Sequence, residues 1–150
     1  MKKLSIIIIA GLLFISPVFA KGEIQEGLCK VFSGEHNEHI FMVAMYDNAK
    51  RDGIAVQFYA NGEVEKIAWY QNGILHGTFR SFWSSGYARS ILDYQNGILD
   101  GRAAVYDRDG NPQFAVTYDK GVLEGHGYYY EGGVLRDTAE YKKGKAISIN

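Results

Sequence analysis

The sequence predicts an all-β fold: an elongated single-sheet antiparallel array of β-hairpins with about 24 residues per repeat. Three observations carry this. Tyr46, Tyr70, Tyr94 and Tyr118 recur at 24-residue intervals, and Tyr141 follows after 23. Each of the first four tyrosines is followed seven residues on by a glycine (Gly53, Gly77, Gly101, Gly125) and twelve on by an aromatic (Phe58, Phe82, Tyr106, Tyr130). The text itself also recurs, as Tyr70-Gln-Asn-Gly-Ile-Leu-His-Gly77, Tyr94-Gln-Asn-Gly-Ile-Leu-Asp-Gly101 and Tyr118-Asp-Lys-Gly-Val-Leu-Glu-Gly125. A fixed period of this length marks a stacked repeat.

The first twenty residues read as an address. Lys2 and Lys3 precede an apolar run from Leu4 to Ile15, Ser16-Pro17 breaks it, and Val18-Phe19-Ala20 has the small-residue pattern of a signal peptidase site. The run is shorter than the roughly 20 apolar residues a membrane span needs. Export to the periplasm or the medium, with cleavage after Ala20, is therefore expected.

Residues 21–45 look like a worn first hairpin. Gly27 and Phe32 copy the spacing of Gly53 and Phe58, the turn from Ser33 to Glu38 is swollen, and His39 to Tyr46 reads as a second strand. The repeats proper occupy 46–150, with units starting at 46, 70, 94 and 118 and a partial one from 141.

In each unit one strand runs from the glycine past the aromatic, and a second runs into the next tyrosine, as in Ile54 to Tyr59 and Glu63 to Tyr70. Asn61-Gly62, Asn72-Gly73, Asn96-Gly97 and Asp109-Gly110 supply the positive φ angles of tight turns. Gly62, Gly86 and Gly110 follow their tyrosines by sixteen residues. Gly133 follows by fifteen, so a residue lost in that turn explains the short last step. No window holds a 3.6-residue apolar period, so no helix is expected beyond the leader.

Alternation within the second strands puts Val64, Ala68 and Tyr70 on one face, then Ala88, Leu92 and Tyr94, then Phe114, Val116 and Tyr118, then Leu135, Ala139 and Tyr141. This tyrosine face is the expected packed side, with the recurring Tyr and Phe as core. Tyr59, Trp69, Phe79, Trp83 and Tyr129 read as alternating out of phase with it. They form either a second packed layer or an exposed aromatic stripe of the kind that concentrates binding energy.

The pattern Tyr-x-x-Gly-x-Leu-x-Gly, an aromatic, x-x-x-Gly and a strand ending in Tyr resembles MORN repeats, in particular the bacterial variant of the motif. The resemblance covers about residues 46–147, with Ala49 standing where the other units have glycine. It implies a hairpin array that binds proteins or phospholipid, sometimes labelled antitoxin, without shared catalytic residues.

Composition narrows the chemistry. With 16 basic against 17 acidic residues the chain is no nucleic-acid binder, and loss of the leader's two lysines takes the net charge from −1 to −3. One cysteine excludes an internal disulfide, and Cys29 in an apolar strand is expected to be buried rather than bridging chains. Glu35-His36-Asn37-Glu38-His39 has donors for zinc or copper but no third outlying ligand, so a solvated turn is the better reading. His76 has Asp100 and Glu124 as its repeat equivalents, the mark of a solvated loop position. No nucleophile elbow, phosphate loop or paired-carboxylate motif is present.

The expectation is an exported, non-enzymatic scaffold without metal or cofactor. Its partner is a protein, in an inhibitor or antitoxin-like role, with Tyr59, Trp69, Phe79, Trp83 and Tyr129 as the contact set. The alternative is an envelope glycan or membrane lipid, drawn by the aromatics and by Lys142, Lys143 and Lys145.

Overall fold

The computed structural model describes residues 7–9, 12–15, 26–33 and 39–150. The proposed cleavage site and the swollen turn with His36 lie outside the described residues. All regular structure among the described residues is strand. In chain order the strands are β1 (Ile7–Ile9), β2 (Leu12–Ile15), β3 (Glu26–Ser33), β4 (His39–Asp47), β5 (Lys50–Phe58), β6 (Val64–Gln71), β7 (Ile74–Leu75) and β8 (Gly77–Phe82). They continue as β9 (Ala88–Gln95), β10 (Ile98–Tyr106), β11 (Pro112–Asp119), β12 (Val122–Leu123), β13 (Gly125–Glu131), β14 (Val134–Lys142) and β15 (Lys145–Ile149).

The chain divides into two compact units, Met1–Ile74 and Leu75–Asn150. In the first, β3 to β6 form an antiparallel meander in which each strand pairs with its chain neighbour. Nearer the N-terminus β1 pairs antiparallel with β2, and β2 runs parallel to β3, a departure from the expected antiparallel pattern. In the second unit β8, β9, β10, β11, β13, β14 and β15 form the same meander.

Two kinds of turn alternate. The turn after each tyrosine strand has positive φ at both central residues: Asn48-Ala49, Asn72-Gly73, Asn96-Gly97, Lys120-Gly121 and Lys143-Gly144. This is the two-residue type I′ hairpin, whose twist matches the strands. The other turn is longer: Gly62, Gly86 and Gly110 donate to the carbonyls of Tyr59, Trp83 and Asp107, and only the glycine has positive φ. Asn61 and Asp109 therefore do not share the left-handed conformation expected of them. In the last unit Gly132 and Gly133 both have positive φ, and Glu131 pairs directly with Val134. The missing residue has converted a long turn into a two-residue one.

The two faces follow from the register. In the first unit Cys29 lies opposite Ala44, Ala44 opposite Ala55, and Ala55 opposite Ala68. In the second Leu92 lies opposite Ala103, Ala103 opposite Val116, and Gly127 opposite Ala139. Every buried apolar side chain among the described residues (Cys29, Ala44, Ala55, Ala68, Ala103, Val116, Ala139) sits in these rows, two residues along the strand from a repeat tyrosine (Ala44, Ala68, Val116, Ala139) or from a glycine paired with one (Cys29, Ala55, Ala103). The tyrosine face is the packed side, and its buried floor is made of small residues roofed by large ones.

One expectation about the faces is corrected. Gln57 pairs with Lys66 but Phe58 with Val64, so Glu65 is an extra residue in the strand. Arg89 and Arg136 are extra in the same way. Such a bulge breaks the period-two alternation. Val64, Ala88 and Leu135 therefore lie on the opposite face, facing Phe58, Phe82 and Tyr130. The recurring aromatics split into two rows, tyrosines on one side and Phe58, Phe82, Tyr106 and Tyr130 on the other.

Candidate functional site

The five aromatics singled out by sequence do not form one stripe. Trp69 lies on the face away from the tyrosines, opposite Ile54, and is 49% exposed. Phe79 lies on the tyrosine face, because it pairs with Leu92, and its ring meets Tyr94 edge-on at 6.4 Å. Tyr129 is on that face too, between Phe114 and Asp137. Tyr59 and Trp83 open the long turns, where their amides donate to the carbonyls of Glu63 and Tyr87. The misreading has a clear cause: alternation counts faces within a strand, and each turn and bulge resets the count.

Phe79 and Tyr129 are thus packing residues first. Tyr129 and Tyr141 share a 2.6 Å hydrogen bond between hydroxyls. Burial, then that bond and the closeness of Tyr141 and Tyr118, push the Tyr129 hydroxyl up to about 12. A Cβ on Gly127 would come within 2.9 Å of the Tyr141 ring, so the glycine makes room for the pair.

Around Trp83 the second unit builds a charged site. The indole is half-buried and its Nε1 donates to the Tyr106 carbonyl at 3.3 Å. The guanidinium of Arg89, from the bulge of β9, lies 4.7 Å from the ring centroid, and that of Arg108, from the turn after β10, lies at 5.1 Å. Both arginines are exposed. Ion pairs among the described residues join Glu65 to Lys66, Asp93 to Arg102 and Glu131 to Arg136, and include neither Arg89 nor Arg108. The neighbouring Asp107 carboxylate accepts from Asp109 N, Asn111 N and Asn111 Nδ2 and so closes its own turn. Partial desolvation opposes these hydrogen bonds, but they hold its carboxyl below the usual range.

The first unit has a different cluster. Arg51 stands where the other units have leucine (Leu75, Leu99, Leu123). It donates to the hydroxyls of Tyr46 at 3.4 Å and Tyr70 at 3.3 Å, and its guanidinium lies 5.2 Å from the Tyr70 ring centroid. The hydrogen bond it donates to Tyr46 leads the causes that raise its pKa further. Neither cluster was singled out from sequence. Arg51 breaks a column of leucines and Arg108 shares its column with Ala60 and Ser84, whereas Arg89 does not stand out in a column that also holds Glu65 and Arg136.

The column holding His76, Asp100 and Glu124 is also corrected. Asp52 accepts from the Asn72 amide at 3.2 Å and Glu124 from the Lys143 amide at 2.8 Å. These acids cap the next tight turn rather than idle in solvent. His76 Nδ1 is buried without a hydrogen-bond partner. Cys29 is buried, and burial raises its pKa. No group of three or more His, Cys, Asp or Glu that could hold a metal occurs among the described residues. Lys142, Lys143 and Lys145 are exposed around the final turn. An open depression is lined by Tyr129, Tyr130, Glu131, Arg136 and Asp137, of which Glu131 and Arg136 are paired with each other and Tyr129 with Tyr141.

Residues 51–72, the hairpin of β5 and β6, match the family model described as MORN repeat variant. No curated protein matches the chain.

Proposed function

We propose that this chain, a MORN-repeat protein by its match over residues 51–72, is an exported, non-enzymatic scaffold that binds another protein in an inhibitor or antitoxin-like role. MORN repeats are in general modules for binding proteins or lipids, and the signal-like pattern of residues 1–20 supports a partner in the envelope or the medium. The observation that carries the reading is Trp69. A large indole stands 49% exposed on the face away from the tyrosines, in a strand whose backbone is fixed by pairing. Preorganised aromatics bind with little loss of conformational freedom. The experiment is affinity capture by the tagged mature chain from its own envelope and medium, repeated with Trp69→Ala. Specific retention of one protein, weakened about thirtyfold in the variant, is expected. Equal retention by the folded variant and the parent would overturn the assignment of Trp69, and no retention at all would overturn the scaffold role.

The second reading is a glycan or lipid of the envelope, favoured by the exposed Lys142, Lys143 and Lys145. Co-sedimentation with peptidoglycan and with anionic liposomes at low salt, where charge attraction is strongest, tests it. Pelleting with either supports it, and a protein left in the supernatant removes it.

A further inference from the structure

We infer that Trp83, Arg89 and Arg108 form a docking site for an acidic segment of a polypeptide partner, with the segment's carboxylates paired to the two guanidinium groups. The inference rests on the protein-binding reading above and names the chemistry of one contact.

Two bulges at the same register, in hairpins closed by different turns, make the comparison. In the last repeat the bulge residue Arg136 reaches across its hairpin to the last residue before the turn, Glu131, and pairs with its carboxylate at 3.2 Å. Arg89 is the bulge residue in the same register two repeats earlier, extra between the pairs Ser81–Ser90 and Phe82–Ala88. It reaches across its hairpin in the same way, but the turn opens with Trp83 instead of an acid. The arginine is kept in place by the indole while the carboxylate that its counterpart uses is missing.

Arg108 then adds a second positive charge to the same ring. Two like charges share one aromatic, and neither belongs to an ion pair among the described residues. Carboxylates arriving from outside would relieve that repulsion and take charge-assisted hydrogen bonds from the guanidinium forks. The first unit emphasises the difference: its bulge residue is Glu65, which accepts from Gln57 at 2.6 Å and pairs with Lys66. The feature is therefore local to the second unit.

The test uses the mature chain with Trp69→Phe, leaving Trp83 as the reporting indole, and two capped hexapeptides, all-glutamate and all-glutamine. At about 20 mM salt, where screening is weak, the glutamate peptide is expected to change Trp83 fluorescence saturably and the glutamine peptide is not. Arg89→Gln and Arg108→Gln should each weaken binding about tenfold. Trp83→Glu supplies an internal carboxylate to Arg89, as Glu131 does for Arg136, and should abolish binding of the labelled glutamate peptide by anisotropy. The inference is overturned if both peptides act alike, or if the arginine variants bind as the parent does. It is also overturned if inorganic phosphate or phosphatidylserine vesicles displace the peptide at lower concentrations than free glutamate peptide does. Partner capture that survives both arginine substitutions but fails in Trp69→Ala would leave the scaffold role standing and remove this site. Peptide binding without any captured protein would do the reverse.

Discussion

At the scale of single residues the chain shows where a repeat has been compromised. Ala49 stands in the second central position of a type I′ turn with φ 61°, a conformation the other units give to glycine. A non-glycine residue there costs about 1 kcal/mol or more. Ala49→Gly is therefore expected to stabilise the protein by about 1 kcal/mol, read as a higher urea midpoint with an unchanged slope. The Tyr129–Tyr141 pair gives a second residue-level prediction. The folded state holds the Tyr129 proton up to about 12, above the ordinary tyrosine value of about 10. Between these values the folded chain binds more protons than the unfolded one, so this contribution to stability is complete below pH 10 and falls as pH rises toward 12. Absorbance titration of the tyrosinate should show a hydroxyl ionising late, and Tyr141→Phe should bring it down. A variant titrating like the parent would show that the hydrogen bond is not the cause.

At the scale of elements the tight turns are tied to one another within each unit. The Gly73 amide donates to the Arg51 carbonyl, Gly97 to Leu75, Gly121 to Leu99 and Gly144 to Leu123, all within 2.9 Å. Side chains reinforce the ladder through Asp52 on Asn72 and Glu124 on Lys143. Glu124→Ala should cost about 1 kcal/mol, the usual scale of a lost cap, and should speed hydrogen exchange at the Lys143 amide. Unchanged exchange there would mean the carboxylate does not hold the turn. This level was also where the sequence was most legible. The 24-residue period, the Asn-Gly pairs and the lost residue before Gly133 located the strands and the shortened turn. What it did not carry was the register. Glu65, Arg89 and Arg136 read as ordinary alternating residues, whereas as bulges they move Val64, Ala88 and Leu135 across the sheet. Phe79 and Tyr129 were misplaced for the same reason. The Trp83 cluster was not legible as a cluster, because its arginines are 6 and 25 residues from the indole and meet it only in the folded sheet and its turns.

At the scale of the whole molecule the buried floor is thin and made mostly of alanine, so stability comes from many like contacts repeated along each unit rather than from one thick core. Strands pair with their chain neighbours in both units, and a lesion should be felt most by the hairpins that share it. Ala103, 3% exposed between Leu92 and Val116, is the place to test this. Ala103→Glu inserts a charge without a partner into the floor of the second unit, a change expected to cost several kcal/mol. In a nearest-neighbour array the loss is local: amides of β9, β10 and β11 should exchange far faster, while those of β4, β5 and β6 in the first unit keep most of their protection. Hydrogen exchange read strand by strand distinguishes this from the alternative. If protection falls equally in β4 and β10, the chain unfolds as a single cooperative block. Substitutions in one unit would then act on binding through global stability, and the separate roles assigned to Trp69 and Trp83 would have to be measured at matched fractions of folded protein.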